Sequence, residues 1–414
     1  MISKRKKIAI ALLIVLVSIG IYIISRPAKA VISITTTPAT GAIYINGQYV
    51  GTGFLSKEYP PGTYEITFGS ISGYHTPKAQ IVTLKAGDQI NIVETYIPFT
   101  PAKLTFSSIV QTINGVSPSI YSFIINNNKP MFSITVSNSG ETKAEYVRLL
   151  TRIEGLTEWQ TQTVKDIDSN SSIFIGITPI IPETAVTGFT ESTYREVSIK
   201  VEYTSGGKEM PPTSTSKQLI IYSKNALPLK EALEISKKYG IKSFESFLAY
   251  WVKSQDPSVR NIAASATAGK YTADEMAKAI FDELGRRDIR YANDPSDPLG
   301  GDVDYIQFPS ETLSLKRGDC DDLSVLYSSC LEAVGIETQF AFTPNHVFVR
   351  YRSDADWHSV EATKIKAPAS FLGIEYYSYF DEARNSGTHT YDQYLGTEDL
   401  TIVNIRDAWN LGIH

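Results

Sequence analysis

The stretch "RGDCDDLSVLYSSCLEAVGI", residues 317–336, contains both cysteines of the chain and predicts a helix with a defined start. Gly318 permits a turn, and Asp319 is suited to cap a helix whose first residue is Cys320. Asp322 then falls at the third helical position, where a carboxylate interacts favourably with the helix dipole. One apolar face follows at helical spacing, made of Leu323, Leu326, Tyr327, Cys330, Leu331 and Val334.

The two cysteines have different predicted environments. Cys330 lies in the middle of the apolar face and is expected to be a small buried hydrophobic residue. Cys320 lies at the edge of that face, where backbone N–H groups at a helix start stabilise a thiolate and can hold an oxyanion. About 15 Å of helix separates the two thiols, too far for a disulfide. Asp321 and Asp322 oppose a thiolate, so a nucleophilic Cys320 needs a basic partner.

Two other interpretations of the same stretch are disfavoured. The adhesion-like tripeptide at 317–319 needs an exposed, flexible loop, whereas Asp319 is expected to cap a helix. A metal site made of Asp319, Asp321 and Asp322 is disfavoured because neighbours on a helix do not face one point. The acidic stretch 291–305 does not have the spacing of a calcium-binding EF-hand loop and predicts a solvated loop. We therefore expect neither a metal nor a cofactor.

Two strand patterns after the helix provide a base and an acid. "HVFVRYR" (346–352) and "WHSVEAT" (357–363) alternate with the period of a β-strand. A four-residue loop, 353–356, pairs Arg352 with Trp357 and makes Glu361 the diagonal neighbour of His346. A two-residue loop would place His346 directly opposite Glu361. Both registers put the two side chains on one face, because an even change of register keeps the parity.

Cys320, His346 and Glu361 therefore have the parts of a thiol triad. In such a triad the cysteine attacks a carbonyl carbon, the histidine moves the proton, and the carboxylate orients and charges the imidazole. His358 has the opposite parity on its strand and is expected to point away. The alternative from spacing alone is a buried cysteine beside a surface hairpin.

Three ordered blocks resemble the transglutaminase-like superfamily: residues 308–342, "NHVFVRY" (345–351) and "WHSVEATKI" (357–365). The resemblance spans about 240–365, and Cys320, His346 and Glu361 fall on the Cys, His and acidic positions of that family. The departure is a glutamate where most relatives have aspartate. The resemblance implies a papain-like α+β fold and acyl transfer at an amide, ending in hydrolysis or transamidation.

The same resemblance points to a side-chain donor beside the oxyanion. Papain-like enzymes use such a donor, and Gln307 in "YIQFP" lies upstream of the nucleophile. The other interpretation of Gln307 is an ordinary polar residue of a strand or loop. Tyr305 is a weaker alternative for the donor.

The N-terminal sequence predicts a membrane anchor. Lys4, Arg5, Lys6 and Lys7 precede an apolar run over residues 8–24. Positive charge before the run and little after it predicts a cytoplasmic N-terminus and an extracytoplasmic bulk, as in a single-pass membrane protein. The run is short for a span and long for a signal-peptide core. An uncleaved anchor is therefore expected, with a signal peptide cleaved after 28–30 as the alternative.

Two β-rich modules are expected after the anchor. Residues 31–98 are short alternating runs separated by turn signals such as Asn46-Gly47, and the segment resembles the PEGA domain family. Its name-giving turn departs from the family pattern. Residues 99–224 alternate at the spacing of a sandwich and resemble the immunoglobulin-like (Ig-like) modules of prokaryotic surface proteins. Both modules are expected either to bind cell-envelope components or to act as spacers.

The predicted organisation is thus multidomain. Residues 1–30 form a basic tail plus anchor, 31–98 a PEGA-like module, 99–224 an Ig-like β-sandwich, and 225–414 a transglutaminase-like domain that begins with helices. A net charge of −5 does not indicate nucleic-acid binding.

The predicted function is a membrane-anchored, extracytoplasmic, thiol-dependent acyl-transfer enzyme acting on amide bonds of envelope proteins or peptides. A cysteine peptidase and a transamidase both fit. The alternative is a non-catalytic surface scaffold with an inactive fold of the same type.

Overall fold

The computed structural model of the chain describes residues 4–24, 28–293 and 302–414. The chain folds into two compact units. The first contains Met1–Lys103 and Ser139–Lys143, and the second contains Leu104–Asn138 and Ala144–His414. The predicted boundary between residues 224 and 225 therefore falls inside the second unit, and the finer division into domains stays a prediction.

The basic tail and the apolar run form one helix, α1, over Lys4–Ile24. Within the described part of the chain, no helix combines the length and the apolar character that crossing a membrane requires. The side chains of residues 17–24, in the second half of the predicted anchor, lie outside the described residues.

The first unit contains an all-β module, as predicted. Its strands form sheets in the orders β4-β1-β8 and β3-β2-β5-β7, with β6 paired to β9. Asn46 and Gly47 both have positive φ, at 47° and 77°, so the predicted Asn-Gly turn does join β2 to β3. The strands are β1 Ala30–Thr37, β2 Ala42–Ile45, β3 Gln48–Thr52, β4 Phe54–Tyr59, β5 Gly62–Phe68, β6 Tyr74–His75, β7 Gln80–Leu84, β8 Gln89–Thr95 and β9 Ile97–Pro98.

The second unit begins with two further sheets, in the orders β10-β12-β15 and β11-β18-β16-β13-β14, with β17 paired to β16. A hydrogen bond from the Leu104 N–H to the Tyr203 hydroxyl links the two sheets. An Ig-like topology stays a prediction. The elements are β10 Leu104–Gln111, β11 Gly115–Val116, α2 Pro118–Asn126, β12 Phe132–Asn138, β13 Glu145–Ile153, β14 Gln160–Thr163, β15 Ser172–Ile177, α3 Glu183–Val186, β16 Thr193–Ser205, β17 Lys208–Glu209 and β18 Thr213–Ile221.

The rest of the second unit packs helices against one antiparallel sheet, in the order β25-β24-β23-β28. Its elements are β19 Ala226–Pro228, α4 Leu229–Tyr239, α5 Pro257–Thr267, α6 Ala273–Arg286, β20 Arg290–Tyr291, β21 Val303–Tyr305, α7 Pro309–Leu315, β22 Arg317–Gly318, α8 Cys320–Ala333, β23 Thr338–Thr343, β24 His346–Ser353, β25 Asp356–Val360, β26 Ala369–Phe371, β27 Ile374–Tyr377, α9 Phe380–Tyr394, β28 Thr401–Asn404 and α10 Ile405–Asn410.

Local sequence signals explain several of these elements. Thr272 and Glu275 form a capping box at the start of α6. A 3₁₀ helix, Phe244–Trp251, lies between α4 and α5. Residues 294–301 of the acidic stretch lie outside the described residues. That this stretch is a solvated loop therefore stays a prediction.

Helix α8 is the centre of this core. The sequence predicts one apolar face, but the structure buries every residue from Asp321 to Glu332. Leu323, Leu326 and Tyr327 have no exposed surface and pack with residues of α5, α6 and the sheet. A helix that is covered all round has little freedom to shift, so its first residue, Cys320, is held at a fixed place.

Candidate active site at the start of α8

A reciprocal cap begins helix α8. The Asp319 carboxylate accepts hydrogen bonds from the N–H groups of Asp321 and Asp322 at 3.2 and 3.4 Å. The Asp322 carboxylate accepts one from the Asp319 N–H at 3.4 Å. The sequence predicted Asp319 as the cap, and the structure confirms it. Cys320 is therefore the first residue of the helix, and its side chain is half-buried.

Gly318 makes room for this cap. A Cβ at Gly318 would lie 2.5 Å from the Cβ of Asp322 and 2.8 Å from its Oδ2. Real Cβ contacts of this kind essentially do not occur. The Gly-Asp-Cys-Asp-Asp order thus has a steric reason, because only glycine lets the Asp322 carboxylate fold back over the helix start.

Asp322 also binds the chain that precedes α7. Its Oδ1 accepts a hydrogen bond from the Gln307 N–H at 2.7 Å, so the Gln307 backbone lies at the start of α8. The Gln307 Oε1 is buried and has no hydrogen-bond partner among the described residues. The side-chain amide of Gln307 therefore has unused hydrogen-bonding capacity. Tyr305, the weaker alternative, ends β21 and is 37% exposed.

Four carboxylates meet at this helix start. Burial raises the pKa of Asp321 well above its usual range, and a hydrogen bond to Asp319 and the charges of Asp304 and Asp322 add to the effect. Burial and the charge of Asp319 likewise raise the pKa of Asp304. The protonated, uncharged form of Asp321 is thereby favoured, so Asp321 opposes a neighbouring thiolate less than the sequence suggests.

The sequence argument that Asp319, Asp321 and Asp322 face different directions is wrong. One oxygen of each lies within 4.8 Å of the others. The reason is that Asp319 precedes the helix, so its side chain turns back over the first turn. The adhesion-like tripeptide is not an exposed loop, since Arg317 and Gly318 form strand β22, which pairs with β20, and Gly318 is buried.

The predicted hairpin brings His346 and Glu361 to one face. Arg352 pairs with Trp357, as in the first of the two predicted registers. The pairing continues to Ser353 and Asp356, so the loop is shorter than predicted without a change of register. The pair Ser353–Asp356 continues the ladder set by Arg352 and Trp357, so it shortens the loop and leaves the register unchanged.

His346 and Glu361 are hydrogen-bonded. The distance from His346 Nε2 to Glu361 Oε2 is 2.7 Å, and the Glu361 side chain is only 7% exposed. The second carboxylate oxygen, Oε1, accepts hydrogen bonds from the Thr363 N–H at 3.3 Å and hydroxyl at 2.8 Å. The longer glutamate side chain therefore does reach the imidazole, and Thr363 fixes its orientation.

The Cys320 thiol faces the His346 ring closely enough to affect its charge. Its interaction with the ring is the largest cause that raises the pKa of His346 from 6.5 to about 10; the bond to Glu361 is next, and burial opposes both. Because Nε2 bonds Glu361, Nδ1 is the ring nitrogen left for the thiol. The three side chains predicted from the sequence are thus adjacent in the order Cys320, His346, Glu361.

The other cysteine and the other nearby histidine lie apart from this group. Cys330 has no exposed surface, and burial raises the pKa of its thiol to about 12, as expected for a buried hydrophobic residue. Both cysteines are free, as predicted from their separation. His358 Nδ1 lies 2.9 Å from the Arg384 side chain on α9, away from Cys320.

Two supporting residues were not predicted. Thr363 follows Glu361 by two positions, a spacing typical of side chains that bond a nearby backbone or hydroxyl. Gly387 lets α9 approach β25, because a Cβ there would lie 2.9 Å from the Val360 N and 3.1 Å from the Glu361 N. The Glu361 N–H in turn bonds the Ala383 carbonyl at 3.0 Å. No signal in a single sequence identifies such a helix–strand contact.

Residues 260–370 match the transglutaminase-like superfamily. The match contains Cys320, His346 and Glu361, and residues 29–104 match the PEGA domain. No curated protein matches the chain.

Solved structures of low overall similarity also match. A transglutaminase (TGase) is 16% identical, with a TM-score of 0.22, over 42% of this chain and 46% of the other. A protein described as a candidate protease from Parabacteroides distasonis is 10% identical, with a TM-score of 0.24. The match covers 80% of this chain and 66% of that protein. A DUF3823 family protein from Bacteroides ovatus is 13% identical, with a TM-score of 0.16. The match covers 47% of this chain and 100% of that protein.

The first prediction concerns the protonation of His346 in the transglutaminase-like domain. We expect its imidazole to titrate near the value of about 10 given by its contacts, against 6.5 for a free histidine. Cys320→Ala and Glu361→Gln each remove a group that stabilises the imidazolium, so each should lower the pKa. Stability from this contact is fully present below about 6.5 and is lost as the pH rises through about 10.

Nitrogen-15 NMR of the imidazole, recorded across this pH range, measures the midpoint directly. Cys330→Ala is the matched control, because it removes the other thiol and should leave the His346 midpoint unchanged. A midpoint near 6.5 in the unsubstituted protein would contradict the contacts described here.

The second prediction concerns Gly318. We expect Gly318→Ala to lower the free energy of unfolding by roughly 1–3 kcal/mol, because the added methyl group overlaps Asp322. Gly62→Ala is the control, since a Cβ at Gly62 meets its nearest neighbour at an ordinary 3.6 Å. Urea denaturation measures both. In a double-mutant cycle, Asp322→Gly removes the overlapped Cβ together with the carboxylate, so it should reduce the further loss caused by Gly318→Ala; strictly additive losses would refute the steric explanation.

Proposed function

We propose that the transglutaminase-like domain is a thiol-dependent acyl-transfer enzyme that acts on amide bonds. The observation that carries the proposal is the adjacency of Cys320, His346, Glu361 and Thr363: hydrogen bonds join the last three side chains, and the interaction with Cys320 raises the pKa of His346. A nucleophile bonded to a base, with the base oriented by a third group, is the arrangement that covalent acyl transfer requires.

The charges of the site fit this role. An imidazole with a pKa of about 10 keeps its proton at neutral pH, and the group that pairs with an imidazolium is the thiolate. The Cys320 sulfur would attack the carbonyl carbon of the amide, and His346 would give its proton to the leaving amine. Water or a second amine, losing its proton to His346, would then release the acyl group. The first acceptor gives hydrolysis and the second gives transamidation.

The oxyanion formed in the attack needs donors beside Cys320. The N–H groups of Asp321 and Asp322 already bond carboxylates, so among the first-turn donors we assign this role to the Cys320 N–H. Gln307 is the proposed side-chain donor. Support comes from its backbone bond to Asp322 and from its side-chain Oε1, which is buried and has no partner among the described residues. Oxygen and nitrogen of such an amide exchange places by a simple flip.

We further propose that the enzyme is held at a membrane through residues 8–24, with its N-terminus in the cytoplasm and its bulk outside. The support is the charge asymmetry, since the basic residues of α1 precede its apolar run. Envelope proteins or peptides would then be the accessible substrates. The PEGA-like and Ig-like modules would contact other envelope components.

The third prediction tests the nucleophile. Cys320→Ala should abolish amide cleavage or transamidation, lowering the rate by about a thousandfold or more, because the acyl-enzyme can no longer form. Mass spectrometry of the protein mixed with an envelope peptide digest reports both the acyl-enzyme and the products. Cys330→Ala is the matched control and should retain activity. Full activity in Cys320→Ala would refute the proposal.

Thiol labelling separates an enzyme from a non-catalytic scaffold. In an enzyme, iodoacetamide should modify Cys320 of the folded protein below neutral pH, and His346→Ala should slow that reaction. A Cys320 thiol that reacts only after unfolding, with no product from any peptide, would favour the scaffold.

The fourth prediction tests the orientation at the membrane. Tyr271 is 89% exposed, so Tyr271→Cys in a Cys320→Ala background offers an accessible thiol in the extracytoplasmic part. We expect a membrane-impermeant maleimide to label it equally in intact and lysed cells. The protein should sediment with membranes through an alkaline carbonate wash. Labelling only after lysis would refute the orientation, and release by carbonate would refute the anchor.

A further inference from the structure

A cavity of about 580 Å³ opens on the solvent-facing side of the sheet that contains β14, β13 and β16. Its volume lies in the range of small-molecule sites, about 300–1,000 Å³. The second unit contains all of its lining, which includes Tyr146, Arg148, Thr163, Glu202, Glu209 and Met210. This cavity belongs to neither the proposed active site nor α8.

Tyr146 is held in an unusual conformation at the edge of this cavity. Its φ is 52°, a value that a bulky side chain rarely adopts, and it lies in a β-bulge between Glu145 and Arg148. The Tyr146 N–H bonds the Asp166 carboxylate at 3.1 Å, which pins the bulge. The ring is 77% exposed, so it contributes little to the core. A strained bulge that presents an aromatic ring to solvent is typical of a binding site.

The charged groups of the cavity are held mainly in ion pairs. Arg148 Nη2 lies 2.9 Å from Glu202 Oε2, and Lys200 Nζ lies 2.7 Å from Glu202 Oε1. Glu209 adds a second carboxylate to the lining. Arg148 is the one cation of the lining against the carboxylates of Glu202 and Glu209, and Lys200 outside the lining also pairs with Glu202, so the cavity offers no excess positive charge for an anionic ligand. Its paired groups still have donors and lone pairs that can bond hydroxyl groups.

The backbone of β13 beneath the cavity is already hydrogen-bonded to strands on both sides. Arg148 pairs with Glu202 on one side and with Thr163 on the other, since β13 lies between β16 and β14. A peptide therefore cannot add to β13 at Arg148 as a further strand. A ligand over β13 is recognised by side chains, which suits one with a flat apolar face and several hydroxyl groups.

We propose that this cavity binds a neutral saccharide. The C–H face of a pyranose ring would lie against the Tyr146 ring, and its hydroxyl groups would bond the Arg148–Glu202 pair and the Thr163 hydroxyl. A sugar satisfies both requirements, because its ring has an apolar face and its hydroxyl groups both donate and accept.

Tyr146→Gly is the sharpest test. It removes the ring and also relieves the positive φ, so the protein should be as stable as before or more stable. Saccharide affinity should fall by about tenfold or more, as for loss of an aromatic contact. Tyr194→Ala is the matched control, since Tyr194 is 67% exposed at the opposite end of β16, and should leave affinity unchanged.

Cellotetraose, laminaritetraose and N-acetylchitotetraose are the probes, titrated into the full chain and followed by calorimetry and NMR. Binding of at least one, lost in Tyr146→Gly and insensitive to salt, supports the proposal. The proposal is overturned if none binds up to about 10 mM. It is also overturned if Tyr146→Gly binds normally, or if only tetra-alanine or a sulfated oligosaccharide binds.

Discussion

The reciprocal hydrogen bonds between Asp319 and Asp322 are the constraint on which the site depends. They satisfy N–H groups that a helix start would otherwise leave unpaired inside the protein. They also set Cys320 as the first helical residue, and through the Gln307 N–H they bring a second segment to the same point. Because α8 is buried along its length, an error at its start could not be absorbed by moving the helix.

The electrostatics of the site follow from that cap. Four carboxylates near a thiol would by themselves disfavour a thiolate, yet burial favours the protonated form of Asp321 and reduces the negative charge. His346 supplies a compensating positive charge, and its buried partner Glu361 favours the protonated imidazole. The helix start thus combines the geometry of a cap, which needs carboxylates, with the chemistry of a thiolate, which needs a cation nearby.

The sequence predicted the parts of this arrangement that depend on local order. A cap followed by a cysteine is written in consecutive residues, and the parity of a strand puts His346 and Glu361 on one face whichever loop joins them. The contacts that depend on distant segments were not accessible. Thr363 holding Glu361, Gly387 admitting α9, and the convergence of Asp304 with Asp321 all require the folded chain. The prediction of one apolar face on α8 was too narrow for the same reason, because the elements that cover its other faces lie far away in the sequence.

The contrast between the two thiols offers a way to measure how much of a preparation is correctly folded. Cys330 is enclosed in the core with a pKa raised to about 12, whereas Cys320 is half-buried at a helix start. A mild electrophile should therefore consume one equivalent per correctly folded molecule, and two per molecule once the core is opened. The intact fraction of a preparation therefore equals two minus the equivalents consumed per molecule before unfolding, and no substrate has to be known.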